Sequence, residues 1–175
     1  MKLLSYKSSQ AGYKGIGNWF IRFRLGGQYS HSEILFEPGD GVDMFMPDGT
    51  TTPDEDGAYW CCSSTGLERI PVWANRVSRR GHVGGLRFKR IKVDPAKWDV
   101  TDLTDFDPFY AANWARSNEG MLYDWQLISK FIAWFLPEKV NRVMCSEACA
   151  SMLGIPDPFL YDPRVLHSAV APRNR

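Results

Sequence analysis

The chain has 175 residues, 44% of them hydrophobic, and this size and composition predict one globular domain, residues 1–175, with a sizeable core. A formal net charge of +1 gives no overall electrostatic reason to bind nucleic acid or an anionic membrane, so we expect neither as a partner. Four cysteines without a C-x-x-C pair argue against a disulfide scaffold and a structural zinc site. We expect no metal and no cofactor.

The hydrophobic runs of the chain are short. The run within residues 1–7 is too short for a secretory signal and is interrupted at once by lysine. The longest run, residues 131–136, ends at Pro137 and is far too short to span a bilayer. We therefore expect a protein that is made in a cytoplasm and has no membrane span.

The amino-terminal half of the chain predicts mainly strands. A compact helix is expected at 18–25, because glycines bound an apolar stretch on both sides. Gly- and Pro-rich segments predict a turn at 37–41 and a loop at 46–56. Apolar stretches and alternating apolar and polar residues predict strands at 1–7, 32–36, 42–45, 58–63, 86–93 and 98–103.

The carboxy-terminal half predicts helices. Two of them follow an Asp-Pro pair, at 107–108 and 162–163, which supplies a capping carboxylate and a first-turn proline. Helices are predicted at 109–118, 124–136, 145–153 and 165–170. A run of strands followed by helices indicates an α+β domain with an antiparallel sheet.

Cys145 lies where a strand-like run at 142–144 gives way to a helix. At a helix N-terminus, unsatisfied backbone N–H groups and the helix dipole favour thiolate over thiol, and the same groups can stabilise an oxyanion. The alternative is a buried structural cysteine, a role that also suits Cys149 one turn later. A metal site formed by Cys145, Cys149 and His31 is a lesser alternative.

His31 stands at the start of the strand at 32–36, and strand alternation places Glu33 on the same face. A carboxylate beside an imidazole can fix its tautomer and favour its charged form. The alternative interpretation is a surface glutamate next to an ordinary hydrogen-bonded histidine.

Other polar and aromatic features receive simpler interpretations. The basic stretches at 76–80 and 87–90 are expected to be solvated faces. His167, within the last helix, is expected to face solvent or a neighbouring loop. Trp60 and Trp73 flank loops near the expected cleft and are the better candidates for ligand contact among the tryptophans.

Four short segments occur in a suggestive order along the chain: SHSEI at 30–34, CCSS at 61–64, GMLYD at 120–124 and MCSEA at 144–148. A fifth, GGLRFK at 84–89, is typical of a strand after a substrate loop. Together they resemble the NlpC-type branch of papain-like thiol hydrolases in its circularly permuted form, in which the strand histidine precedes the nucleophilic cysteine. The resemblance implies a papain-like α+β fold whose central antiparallel sheet or half-barrel packs against helices.

The resemblance also implies roles for individual residues. Cys145 would be the nucleophile and His31 its base. The third, orienting residue of the family falls near Ser63 or Ser64, and Glu33 is the alternative from the histidine's own strand. Supporting positions correspond to Tyr123 and Asp124 on the preceding helix and to Ser146 after the nucleophile. Residues 65–85 resemble an insertion, a lid or a docking loop.

The function implied by the resemblance is cysteine-dependent hydrolysis of an amide or peptide, with peptidoglycan stem peptides as the substrate class. Small stand-alone proteins of this kind resemble those encoded by bacteriophages, so a bacterial host cytoplasm and incorporation into a phage particle are expected. An alternative is a virion structural or docking protein with weak or no catalysis, whose partners are phage structural proteins. Acyl transfer on lipids ranks last, because no membrane anchor is evident.

Overall fold

The computed structural model describes residues 1–7, 28–124 and 142–171. Its elements are β1 (Lys2–Tyr6), β2 (His31–Leu35), β3 (Tyr59–Arg69), β4 (Val83–Ile91), β5 (Trp98–Asp102), α1 (Pro108–Asn118), β6 (Leu122–Tyr123), β7 (Arg142–Val143), α2 (Cys145–Met152) and α3 (Pro163–Val170). The predicted α+β class is confirmed, with a five-stranded antiparallel sheet and three helices in this part of the chain. The helix predicted at 18–25 lies outside the described residues, as does all but the first residue of the helix predicted at 124–136.

The sheet has the strand order β4-β3-β2-β1-β5, and every neighbouring pair is antiparallel. Strand β1 lies between β2 and β5, pairing Tyr6 with both His31 and Trp98. Strands β6 and β7 form a separate two-residue parallel pair directly before α2. The strand that carries His31 is therefore central, and the chain enters α2 from a short strand.

One face of the sheet forms the main core because its alternate residues are apolar. Leu3, Ile34, Cys62 and Phe88, on four adjacent strands, are fully buried on this face. Small and apolar helix residues complete the cluster, among them Ala111, Ala115, Ala148, Cys149, Met152 and Leu166. Alanines on α1 and α2 allow the helix backbones to approach the sheet closely. Helix α2 therefore lies at a short distance from β2 and β3.

Helix ends follow the capping chemistry expected from sequence. The carboxylate of Asp107 accepts the N–H of Phe109, and that of Asp162 accepts the N–H groups of Arg164 and Val165. Helix α2 lacks such a cap at its start, where Glu147 instead accepts the N–H of Met144. Among the described residues, no helix combines the length and apolar character that crossing a membrane requires.

The strand predicted at 42–45 is wrong. Residues Asp43–Phe45 form a 3₁₀ turn, in which the N–H of Phe45 donates to Val42 C=O at 3.0 Å. The Asp43 carboxylate holds the turn by accepting the N–H and hydroxyl of Thr51 at 2.6 and 2.7 Å. Because β2 already has β1 and β3 as neighbours, no edge of β2 is left for a returning strand.

Residues 65–85, predicted to be an inserted loop, contribute both ends of one long hairpin. Pairing of β3 with β4 continues through Thr65↔Gly85 and Arg69↔Val83. Gly85 is required there because a Cβ atom would overlap the carbonyl oxygen of Met121. This close approach lets the N–H of Leu86 donate to Met121 C=O at 2.8 Å, which anchors β6 beside β4.

Candidate active site

Helix α2 begins where β2 and β3 separate. Their pairing covers Ile34↔Cys62 and Leu35↔Cys61, and the even-numbered N–H groups of β2 face β3, as the bond from Phe36 N–H to Trp60 C=O shows. At Ser32, the next even-numbered residue toward the start of β2, the backbone pairing with β3 is replaced by side-chain contacts. The C=O of Ser32 accepts the Ser63 hydroxyl at 2.5 Å, and the N–H of Ser32 donates to the sulfur of Cys145.

The Cys145 side chain is surrounded by groups that stabilise a thiolate. Its sulfur accepts hydrogen bonds from the His31 imidazole and from the backbone N–H groups of Ser32 and Ser146. Burial, which leaves the residue 3% exposed, favours the neutral thiol. The His31 charge and these hydrogen bonds outweigh burial and lower the pKa of Cys145 below its ordinary value.

His31 is the positively charged partner of this thiolate. Its Nε2 lies 2.9 Å from Glu33 Oε1, which leaves Nδ1 for the sulfur. Burial opposes the imidazolium, but the negative charges of Cys145 and Glu33 outweigh it and raise the pKa of His31 from 6.5 to about 10. The ring is 22% exposed and lies at a tilt beside Trp98, with 6.4 Å between ring centroids. Cys145 and His31 therefore favour each other's charged forms, a thiolate beside an imidazolium.

Glu33 is a buried carboxylate with a second cationic partner. The guanidinium of Arg87 donates from Nη2 to Oε1 at 2.9 Å and from Nη1 to Oε2 at 3.1 Å. Glu33 is 1% exposed, so burial would raise its pKa, yet Arg87 and His31 lower it from 4.5 to about 2. The carboxylate stays ionised, in contact with the imidazole.

The structure brings together Cys145, His31 and Glu33, and it places Ser63 and Ser64 elsewhere. The Ser63 hydroxyl donates to the main chain of β2, and the Ser64 hydroxyl donates to Val143 C=O at 2.7 Å. Both hydroxyls connect elements of the fold, and the hydrogen-bond partners of the His31 imidazole are Cys145 and Glu33 instead. The orienting position beside His31 is occupied by Glu33, on the same strand two residues later.

The three supporting candidates lie near the nucleophile in different ways. Tyr123 lies on β6, where a helix start was predicted; burial raises its pKa, and the negative charges of Cys145 and Asp124 add to the effect. The N–H of Asp124 donates to Val143 C=O at 3.4 Å, and the residue is buried. Ser146 contributes its backbone N–H, whereas its hydroxyl is buried without a hydrogen-bond partner in the described part of the chain.

The other cysteines have the opposite chemistry. Cys61, Cys62 and Cys149 are buried, and burial raises the pKa of each thiol well above its ordinary value. Within residues 1–7, 28–124 and 142–171, no group of three or more His, Cys, Asp or Glu side chains is arranged to hold a metal ion. The alternative site of Cys145, Cys149 and His31 is thus not formed.

Arg87 is the member of this charged cluster that the sequence interpretation missed. It was predicted on a solvated basic face, yet its side chain is 4% exposed. In β4 the neighbours Leu86 and Phe88 point into the main core, so Arg87 points to the face that carries His31 and Glu33. The available signal was a carboxylate on that face in a central strand, which needs a cation once it is buried.

His167 contacts a neighbouring loop, one of the two surroundings predicted for it, and also a strand. Its ring nitrogens lie 3.0 Å from the Ser5 hydroxyl and 3.2 Å from the Tyr29 hydroxyl, so it connects α3 to β1 and to the loop before β2. Burial lowers its pKa, partly offset by the Asp99 carboxylate. This contact is separate from the Cys145–His31–Glu33 cluster.

Trp60 and Trp73, predicted as ligand contacts, line one groove of about 490 Å³. Its walls also include Glu68, Arg69 and Arg87. Arg87 therefore belongs both to this groove and to the carboxylate contact beside His31.

No protein-family model matches the chain, and comparison with curated proteins and with solved structures gave no match. The functional argument therefore rests on the contacts of the site itself.

Proposed function

We propose that the chain is a cysteine-dependent amide or peptide hydrolase of the papain-like, circularly permuted NlpC type, acting on peptidoglycan stem peptides. The observation that carries the proposal is the hydrogen-bonded series Cys145–His31–Glu33, in which a thiolate faces an imidazolium held by an ionised carboxylate. A nucleophile, a base and a group that orients the base are the minimum parts of covalent acyl-transfer catalysis. The position of Cys145 at the start of α2, against a central antiparallel sheet, supports the papain-like assignment.

In the first half of the reaction, the Cys145 sulfur attacks the carbonyl carbon and forms a tetrahedral oxyanion. Backbone N–H groups in the first turn of α2 point toward the developing negative charge. His31 then donates its proton to the leaving nitrogen as the C–N bond breaks. The products of this half are a free amine and a thioester on Cys145.

In the second half, the neutral imidazole of His31 removes a proton from water, which attacks the thioester carbonyl. The C–S bond breaks, a carboxylic acid leaves, and the thiolate–imidazolium pair is restored. Glu33 keeps the imidazole in one orientation through both halves by its 2.9 Å contact with Nε2. With an alcohol or amine in place of water, the same thioester would make the protein an acyltransferase.

The proposal is tested with purified peptidoglycan fragments, by following release of new amino groups and analysing products by mass spectrometry. Cys145→Ala should abolish turnover, and Cys149→Ala, one turn along the same helix, is the matched control that should retain it. Circular dichroism establishes that both variants fold. Turnover that persists in folded Cys145→Ala would contradict the assignment of the nucleophile.

A second candidate function, a virion structural or docking protein, is favoured by one observation. The distal part of the β3–β4 hairpin exposes five apolar side chains: Leu67, Val72, Trp73, Val77 and Val83. Apolar side chains gathered on one exposed segment are typical of a protein–protein contact. If this function is the correct one, the chain is present in purified phage particles at a fixed stoichiometry, and Cys145→Ala particles assemble normally. Absence from particles would exclude it.

A further inference from the structure

The contacts of Glu33 continue beyond His31 to a second carboxylate. Arg87, which grips both oxygens of Glu33, also donates from Nε to Glu68 Oε2 at 2.9 Å. Glu68 in turn accepts the ammonium of Lys89 at 2.6 Å, and this outer pair is partly exposed in the groove. The series therefore runs from the solvent-accessible groove to the sulfur of Cys145 through alternating charges.

The geometry of Arg87 is more specific than charge neutralisation requires. A guanidinium presents its N–H groups in a rigid plane, so two parallel bonds to one carboxylate fix the rotation of that carboxylate. A third contact, from Nη1 to Ser63 C=O at 3.4 Å, ties the same plane to β3. The Glu33 carboxylate is thereby held so that Oε1 points at His31 Nε2.

A buried ion pair is weak evidence for a stabilising role by itself. Removing water from both ions costs about as much as their attraction returns, and apolar replacements of such pairs are often neutral or stabilising. Stability alone therefore does not account for Arg87 at this position. Its direct contact with the group that orients His31 offers a better account.

We infer that Arg87 is a positioning residue of the Cys145–His31–Glu33 site, which holds Glu33 ionised and aligned so that His31 stays protonated beside the sulfur. The inference rests on the proposed function, since it assigns Arg87 a part in the same thiolate–imidazolium chemistry. Arg87 itself does not touch the nucleophile and acts through Glu33.

The titratable groups around this network come from several elements. The thiols of Cys61, Cys62 and Cys149 and the Glu68–Lys89 pair lie beside Glu33 and Arg87, on β3, β4 and α2. The Tyr123 phenol, on β6, lies beside Cys145. Of these, the thiols and the phenol have raised pKa values and remain neutral near pH 7, whereas Glu68 is held ionised by Arg87 and Lys89. Glu68 is thus the additional charge that a change at Arg87 affects.

Loss of the Arg87 guanidinium should change the pKa values of Glu33, His31 and Cys145 in definite directions. Without Arg87, burial dominates and raises the pKa of Glu33, so the carboxylate takes up a proton more readily. A neutral Glu33 no longer favours the imidazolium, so the pKa of His31 falls. With less positive charge beside it, the Cys145 thiol ionises only at higher pH.

The test compares the pH dependence of Cys145 alkylation by iodoacetamide in the wild type and four variants, with the modified cysteine identified by mass spectrometry. Arg87→Met removes the charge, and Arg87→Lys keeps the charge but loses the two-pronged contact. The double variant Glu33→Gln/Arg87→Met removes both buried charges, so it leaves no unpaired carboxylate at this position and serves as the second variant where Arg87→Met does not fold. Arg90→Met, on the same strand but paired with Asp48, is the matched control.

We expect the midpoint of the alkylation profile to move to higher pH by about one unit or more in Arg87→Met and in the double variant. This shift lowers the rate about threefold or more on the acid side of the profile, once the higher nucleophilicity of a thiolate with a raised pKa is included. Arg87→Lys should lie between these and the wild type, and Arg90→Met should match the wild type. A folded Arg87→Met or double variant with an unshifted profile would overturn the inference. If the wild type itself shows an ordinary thiol profile, the proposed function fails first, which separates the two outcomes.

Discussion

The reactivity of Cys145 toward a small alkylating reagent should depend on His31. Replacing His31 by alanine removes both the charge and the side-chain hydrogen bond that lower the pKa of the thiol. Burial then acts against ionisation with less opposition, because the residue is only 3% exposed. We therefore expect the pKa of Cys145 in His31→Ala to lie at or above the ordinary value of about 8.5.

The size of the effect follows from two opposing contributions. A thiol with a pKa of about 8.5 is about 1% ionised near pH 6.5, which lowers the rate about a hundredfold relative to a fully ionised cysteine. A thiolate of higher pKa is intrinsically more nucleophilic, which returns roughly a factor of three for each unit by which the pKa of the thiol rises. For a rise of about two pKa units, the net expectation is a rate about tenfold lower near pH 6.5, profiles that cross near about pH 7.5, and a faster reaction of His31→Ala above about pH 9.

The measurement is the second-order rate of iodoacetamide modification across the pH range, with Cys145 distinguished from the other cysteines by peptide mapping. His82→Ala is the matched control, since His82 is exposed on the loop between β3 and β4. The wild type should show a rate that is nearly flat through neutral pH, whereas His31→Ala should rise about tenfold per pH unit. Superimposable profiles for the wild type and His31→Ala would refute the reasoning.

Three further predictions concern stability. Glu33, whose pKa falls from 4.5 to about 2 on folding, should contribute about 3 kcal/mol that is present above pH 4.5 and lost as pH falls toward 2. Denaturant unfolding should show this loss in the wild type and not in Glu33→Gln; equal pH dependence would contradict it. Gly85→Ala should cost about 1–3 kcal/mol through overlap with Met121, measured as a lower thermal midpoint, and an unchanged midpoint would count against the close approach. Asp162→Ala should cost about 1 kcal/mol by uncapping α3, and a value near zero would show that the two cap bonds are replaced by water.

Much of the sheet could be predicted because local pattern and tertiary environment agree there. Alternation in β4 and β5, and the apolar run of β2, are properties of a few neighbouring residues. The Asp-Pro pairs that cap α1 and α3 are equally local. Such signals need no knowledge of what lies on the far side of the strand.

The missed features depend on contacts between distant residues. Residues 42–45 carry three apolar residues compatible with a strand, but the bonds that Thr51 donates to the Asp43 carboxylate favour a turn. Gly84 and Gly85 suggest a loop in isolation, but approach of residues 120–121 makes them part of a strand.

The candidate site likewise contains features that local sequence predicts and features that it does not. The helix start at Cys145 and the shared face of His31 and Glu33 follow from local periodicity, and their encounter was expected from the family resemblance. Alternation also determines the face on which Arg87 lies, yet it says nothing about whether that face is covered, so an internal cation was predicted to be a solvated one.

The sulfur of Cys145 takes part in the backbone hydrogen bonding of β2 as well as in the candidate site. The sulfur accepts a hydrogen bond from the Ser32 N–H, which points toward β3. If the β2–β3 pairing continued by one more hydrogen-bonded pair, this N–H would instead donate to the carbonyl of Ser64. Acylation or alkylation of the sulfur removes the negative charge that holds this amide, so the covalent state of the cysteine is transmitted to the end of the β2–β3 ladder. Hydrogen exchange at the Ser32 amide would therefore report, from the backbone, whether the cysteine carries an acyl group.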